Sequence, residues 1–293
     1  MGSYSIRDLE QLSGIKAHTI RIWEQRYQLL SPHRTSTNIR FYDDDQLKKL
    51  LNVSALLDNG WRISKVSGLT QTELHDHLSR AFESAAGTDH STEYYIHGLI
   101  VAMLDLDERK FNTTFNASRT TFGFKDTITR IIYPFLEKVG FMWGIDEVYP
   151  AQEHFIANLI RQKILAAIDE LPDPDAQARK FLLFLPEGEQ HELGLLVANF
   201  LIQERGNRTF YLGQNVPLKD IEAVVKACHP QVLVTFLITP RTPEEARAYL
   251  LRLGTAVPDR PIYLSGRYDQ VEGGPLPENI NWLRSPNDLE GIL

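Results

Sequence analysis

The sequence holds a single cysteine, Cys228, which excludes both a disulfide framework and a cysteine-rich zinc site. No uncharged apolar run approaches the roughly 18–20 residues that a membrane-spanning helix needs. The opening residues, MGSYSIRDLEQ, are polar and mixed in charge, unlike a secretory leader, so a cytoplasmic protein with no membrane attachment is the expectation. Positive charge is also scarce. The chain has 31 Lys and Arg against 38 Asp and Glu, a net charge of -7 that taken whole argues against nucleic acid. Disorder is excluded in turn, because 43% of the residues are hydrophobic and only 24% charged. At 293 residues the chain has room for two or three domains.

The charge that is present is unevenly spread. Met1 to Tyr42 holds six basic residues (Arg7, Lys16, Arg21, Arg26, Arg34, Arg40) and three acidic ones (Asp8, Glu10, Glu24). That segment is therefore +3 and the remainder -10, the pattern of a small DNA-binding head on an acidic body. Ser5-Ile6-Arg7-Asp8 is a helix-opening cap, and Ile6, Leu9 and Leu12 follow at helical spacing. Ser13-Gly14 breaks that helix, and a second runs from about Lys16 to Tyr27 with Ile20 and Trp23 inward. Two short helices about a glycine turn make a helix-turn-helix. Ser31 to Tyr42 then reads as a loop or short hairpin, a wing. Asp43-Asp44-Asp45 caps a helix over Gln46 to Asp58, a reading preferred to a metal site because acidic residues favour helix starts.

Residues 69–171 read as helical almost throughout. Three apolar stripes, Tyr94 to Leu104, Ile128 to Val139 and Phe155 to Ile168, join a helix near Leu78 to Ser84 in an expected four-helix bundle over 75–172. Leu171-Pro172-Asp173-Pro174 ends it. From Arg179 the period changes: apolar strands at Lys180–Leu185, Arg208–Leu212, Val232–Ile238 and Pro261–Leu264 alternate with helices. Strand–helix alternation over 178–293 predicts a doubly wound parallel, Rossmann-like sheet, whose ligands sit at the carboxyl ends of the strands. The fold class expected is multidomain, α and α/β, with the winged helix-turn-helix occupying 1–70.

The run His18-Thr19-Ile20-Arg21-Ile22-Trp23-Glu24, with Tyr27, Leu29, Pro32, Arg34 and then Asn38 to Tyr42, resembles the MerR family of regulators over about Tyr4 to Leu69. The resemblance implies a recognition helix in the major groove and a wing along the DNA backbone. Lys16, His18, Thr19 and Arg21 lie at the start or on the exposed face of that helix, where base edges and phosphates are reachable. Trp23, Arg34, Arg40 and Tyr42 fall where the family contacts phosphates, with a core role for Trp23 as the alternative. A dimer or tetramer on a two-fold symmetric double-stranded operator is expected.

Glu189-Gln190-His191-Glu192-Leu193-Gly194, just after the first strand, resembles the (D/E)-x-H-x-x-G signature of cobalamin-binding domains. A loop histidine there can offer a neutral imidazole to cobalt, and a carboxylate two residues earlier can hold its other nitrogen. The resemblance makes His191 the metal ligand, Glu189 its partner and Gly194 the residue that lets the helix approach the corrin. Trp143, then nine residues, then Glu153-His154, resembles the W-x9-EH pattern of the light-dependent carotenoid-gene repressors (CarH-like, LitR-like). That resemblance implies adenosylcobalamin, with Trp143 over its upper axial group and Glu153 and His154 beside it. The chain departs from these families at three places. Thr235-Phe236-Leu237 replaces Ser-x-Leu, and Ser265-Gly266 replaces Gly-Gly, both in the groove for the nucleotide tail. Gly144 stands where some relatives carry a second cobalt-binding histidine. The function expected is a corrinoid-sensing DNA-binding repressor and not an enzyme, and the resemblance implies light sensing through adenosylcobalamin. A regulator with a degenerate, ligand-free cobalamin domain is the alternative. A corrinoid methyltransferase or mutase would need a substrate domain of about 250 more residues.

Overall fold

A computed structural model describes residues 3–35, 38–58, 60–70, 73–74, 76–77, 92–144, 149–239, 242–266 and 275–293. The chain divides into two compact units, Met1–Leu159 and Ile160–Leu293. The division falls inside one helix, ahead of the Pro-Asp-Pro linker, and leaves the head and the first helices together in one unit.

Helix α1 (Ile6–Ser13) opens on a reciprocal cap: Asp8 N–H donates to Ser5 Oγ and Ser5 N–H donates to Asp8 Oδ2. It ends where Gly14 takes a left-handed conformation. Helix α2 (Ala17–Tyr27) starts without a side-chain cap of its own, but Glu10 reaches across the turn and accepts from Ala17 N–H at 3.1 Å and from Lys16 Nζ at 3.1 Å. The wing is a hairpin, β1 (His33–Arg34) antiparallel to β2 (Arg40–Phe41), tied at its base by mutual backbone bonds between Tyr4 and Tyr42. Helix α3 (Asp44–Asp58) is capped by Asp43 through Gln46 N–H, as the acidic triplet suggested, and starts two residues earlier than expected. A short helix α4 (Ile63–Val66) follows.

The helical segment comprises α5 (Thr92–Leu104), α6 (Glu108–Thr127), a π-helical turn (Ile128–Ile132), α7 (Tyr133–Gly144) and α8 (Pro150–Asp169). Every residue of α5 from Tyr94 to Leu104 is buried, so α5 is a central helix and not an amphipathic one. The expected helix near Leu78 to Ser84 lies outside the described residues. Helix α6 is the one the sequence reading passed over. It buries Phe111, Thr114, Phe115 and Ser118 at i, i+3, i+4 and i+7, and half of that stripe is hydroxylated. Gly123, at φ 80°, kinks it.

The second unit is a five-stranded sheet, every neighbouring pair parallel, in the order β4-β3-β5-β6-β7: β3 Lys180–Pro186, β4 Arg208–Val216, β5 Val232–Leu237, β6 Ile262–Gly266 and β7 Ile280–Leu283. Helices α9 (Leu193–Glu204), α10 (Leu218–Cys228), α11 (Pro243–Ala256) and α12 (Pro286–Glu290) accompany it. One face packs Leu182, Phe184, Leu233, Leu237, Ile262 and Leu264 against Ile221 of α10 and Leu250 and Leu253 of α11. The intervening Phe181, Leu183 and Leu185 are buried as well, which is why β3 reads as a continuous apolar run. Three expectations are corrected. Strand β4 runs on through a bulge to Val216, beyond the expected end at Leu212. Ser265 and Gly266 belong to β6, registered against Phe236 and Leu237. A fifth strand, β7, extends the sheet. In this order the direction of winding reverses between β3 and β5, and ligands of such sheets bind at that switch.

Candidate functional site

Lys16, His18, Arg21, Arg34 and Arg40 are exposed, while Thr19 and Trp23 are half-buried. Arg34 is steadied within the wing by Asn38 Oδ1 at 2.7 Å. Tyr42 is a correction. It is 0% exposed, its backbone pairs with Tyr4, and its hydroxyl donates to Glu24 on α2. Burial, with the Glu24 carboxylate second, pushes the Tyr42 phenol far above its ordinary range. A ring held in this way fastens the wing to the recognition helix and is not available to a phosphate.

At the switch between β3 and β5 the loop after β3 carries Glu189 and His191, and the residues after β5 are Ile238 and Thr239. The Glu189 carboxylate is completely buried and joins the two. Its Oε1 accepts from the backbone N–H groups of Gln190 and His191, both at 3.0 Å, from Thr239 Oγ1 at 2.9 Å, and from the His191 ring at Nδ1, 2.6 Å away. Its Oε2 accepts from Ile238 N–H at 2.7 Å and Thr239 N–H at 2.6 Å. Burial alone would raise the Glu189 pKa. The bonds from the His191 ring and backbone and from Thr239 and Ile238 outweigh it and hold the carboxyl well below its usual range. A carboxylate fixed against Nδ1 keeps the ring proton there and leaves the acceptor lone pair on Nε2, while the His191 side chain stays 48% exposed.

The groove residues are brought to the same edge. Thr235 and Leu237 share a face of β5, and Thr235 is buried with its hydroxyl lacking a hydrogen-bond partner. A side chain at Gly266 would place its Cβ 2.1 Å from the Leu237 carbonyl oxygen, so this position admits only glycine. Gly194 also permits a close approach, but of the Phe236 ring: a Cβ there would lie 2.7 Å from it. The approach that was expected to be the corrin's is made by this chain's own phenylalanine. In the other unit, Glu153 and His154 sit in the first turns of α8, with 3.7 Å between His154 Nδ1 and Glu153 Oε2, and the His154 side chain is 73% exposed. Trp143 and Gly144 end α7, and the side chain of Trp143 lies outside what is described.

Two residues escaped the sequence reading. Thr239 supplies two of the donors that hold Glu189, and a hydroxyl one turn beyond a buried strand gave no motif to find it by. Ile22 stands exposed on α2. The helical period of Ile20 and Trp23 already placed it on the outer face.

Comparison with known proteins defines the class. Residues 4–73 match the MerR HTH family regulatory protein model and residues 95–167 match a B12 binding domain. The chain therefore carries a segment similar to MerR helix-turn-helix proteins, followed by a segment similar to B12 binding domains. Over most of its length it is similar to two repressors of Myxococcus xanthus. It is 26% identical to the HTH-type transcriptional repressor CarH over 267 residues, 90% of this chain and 89% of that protein. It is likewise 26% identical to the HTH-type transcriptional repressor CarA over 269 residues, 89% of this chain and 85% of that one. The monomethylamine corrinoid protein of Methanosarcina barkeri superposes with a TM-score of 0.55 at 14% identity, covering 69% of this chain and 98% of that one, a likeness of fold. Among the described residues no helix is long and apolar enough to cross a membrane.

Proposed function

We propose that this chain is a cytoplasmic transcriptional repressor whose body binds adenosylcobalamin and whose ligand state sets its assembly, as dimer or tetramer, and its affinity for operator DNA. The division of labour is a DNA-binding head over 1–70, a helical cap over 75–172 and a cobalamin-binding sheet over 178–293. The observation that carries the reading is the buried Glu189 carboxylate clamped on His191 Nδ1 at the switch point of the sheet.

The residues present fit the cofactor. His191 Nε2 would be the nitrogen that holds the cobalt, with Glu189 keeping that imidazole oriented and basic. The unpartnered Thr235 hydroxyl, buried beside Leu237, awaits an acceptor or donor from the nucleotide tail, with Ser265 and Gly266 along the same edge. On the helical segment, Trp143, Glu153 and His154 would be the further candidates to hold the group. When bound, adenosylcobalamin supplies a cobalt–carbon bond that light breaks. Gly144 has no side chain with which to bind the metal. Relatives named as repressors, with a regulator head on the same chain, support regulation over catalysis. A ligand can shift assembly only by binding one state better than the other.

One observation favours the ligand-free alternative: the Phe236 ring fills the space before Gly194. Light scattering and gel shifts on the full chain, with and without adenosylcobalamin in the dark and after illumination, separate the two. The sensor reading requires a larger particle and tighter operator binding in the loaded dark sample, reversed by light. Identical mass and affinity in all samples would leave the ligand-free regulator.

A further inference from the structure

The outer face of α2 is a continuous stripe. His18, Arg21, Ile22 and Gln25 recur at i, i+3, i+4 and i+7, and all four are exposed. Three of them are hydrogen-bonding side chains. The fourth, Ile22, is an isoleucine left 50% exposed while Ile20 alone fills the core from this helix. Scattered exposed aliphatics need no explanation, but these are not scattered. Among the described residues of the head the exposed large hydrophobics are Ile22 and Ile39, the latter 63% exposed. Each sits next to an exposed arginine, Ile22 beside Arg21 on α2 and Ile39 beside Arg40 in the wing.

A partner for this face must therefore be negatively charged, offer hydrogen-bonding edges within a groove that takes a helix, and present an apolar group among them. The major groove of DNA has one such group, the C5 methyl of thymine. We propose that Ile22 is a specificity-determining residue that reads a thymine methyl in each operator half-site, with Gln25 one turn on, placed to bond an adenine edge. The assignment rests on the DNA-binding reading of the head and names the base chemistry that head selects.

The test uses the full-length chain. Operators are selected from a random duplex pool, and each thymine of the selected sequence is replaced in turn by deoxyuridine, which removes only the methyl. One thymine per half-site is expected to weaken binding by about fourfold when demethylated, the free energy of one buried methyl. Ile22→Ala and Ile22→Gln, both compatible with a helix and checked by circular dichroism, should bind the two bases equally at that position. Their salt dependence should match the wild type, since no phosphate contact is lost. A selected sequence without thymine there, no thymine sensitive to demethylation, or a sensitivity that persists in both variants overturns the proposal while leaving DNA binding intact. Failure of the wild type to bind any duplex overturns the DNA-binding reading with it.

Discussion

Replacing Glu189 by glutamine tests whether the buried carboxylate, and not the loop as a whole, builds the cobalt-facing edge. The wild-type side chain accepts six hydrogen bonds and donates none. An amide in the same place must turn its NH2 either toward Ile238 and Thr239 N–H or toward Gln190 and His191 N–H. Two buried backbone donors then face a donor whichever way it points. With bonds to a charged acceptor worth about 1.5–3 kcal/mol each, the substitution should cost about 3–5 kcal/mol locally. Hydrogen exchange followed by mass spectrometry on fragments spanning residues 186–192 and 232–239 reads that loss where it occurs, without assuming that a two-unit chain unfolds in one step. Exchange at whichever pair the amide NH2 faces, Gln190 and His191 or Ile238 and Thr239, should accelerate by about a hundredfold or more at neutral pH. Acid gives an independent check. A carboxyl held below its ordinary 4.5 contributes its full stabilisation above that pH and loses it as the pH falls toward the depressed folded value. Wild-type protection, corrected for intrinsic exchange, should therefore decline below about pH 4.5, and the glutamine variant should show no such decline. Exchange within twofold of wild type at neutral pH would refute the reasoning.

Other outcomes follow from the head and its mounting. Tyr42→Phe should destabilise the head by about 1–2 kcal/mol by leaving the half-buried Glu24 without its donor, measured by thermal melting. The salt slope of operator binding should stay unchanged, whereas Arg40→Ala should lower that slope by about one. His97, buried on α5, is pushed down to about 3, chiefly by burial, with the Lys138 charge adding to it. A histidine kept neutral in this way favours the fold fully above its ordinary 6.5 and progressively less as the pH falls below it. Melting temperatures from pH 7 to 5 should decline in the wild type and decline less in His97→Leu. Lys138 on α7 donates to the Leu12 carbonyl at 2.9 Å and to Glu93 at 3.2 Å. Lys138→Met should raise protease sensitivity around the Gly14 turn, and an unchanged digestion pattern would show that this contact does not hold α1.

Much of this was legible because it is local. The Ser5–Asp8 cap, the Gly14 break and the acidic start of α3 are set by residues within four positions of one another, and each appears where side-chain chemistry demands it. The alternation of apolar strands with amphipathic helices made the sheet readable, and the sequence spacing Glu-x-His anticipated the Glu189–His191 contact. What escaped depends on distant partners. Helix α6 buries threonine and serine where a pattern search wants leucine, so its apolar stripe is broken in the sequence. Tyr42 looked like a wing anchor because nothing in its vicinity announces Glu24, 18 positions earlier, as its partner. Gly194 was assigned to the cofactor because Phe236 lies 42 positions later on β5, and only the fold brings that ring against α9.

The most direct measurement is the electron paramagnetic resonance spectrum of the full-length protein loaded with cob(II)alamin, wild type against His191→Ala, with nitrogen-15 histidine in a parallel sample. The account predicts nitrogen splitting from a protein imidazole that changes from three lines to two on histidine labelling and disappears with His191. A wild-type spectrum without a histidine nitrogen, or one that survives the alanine substitution, would contradict it.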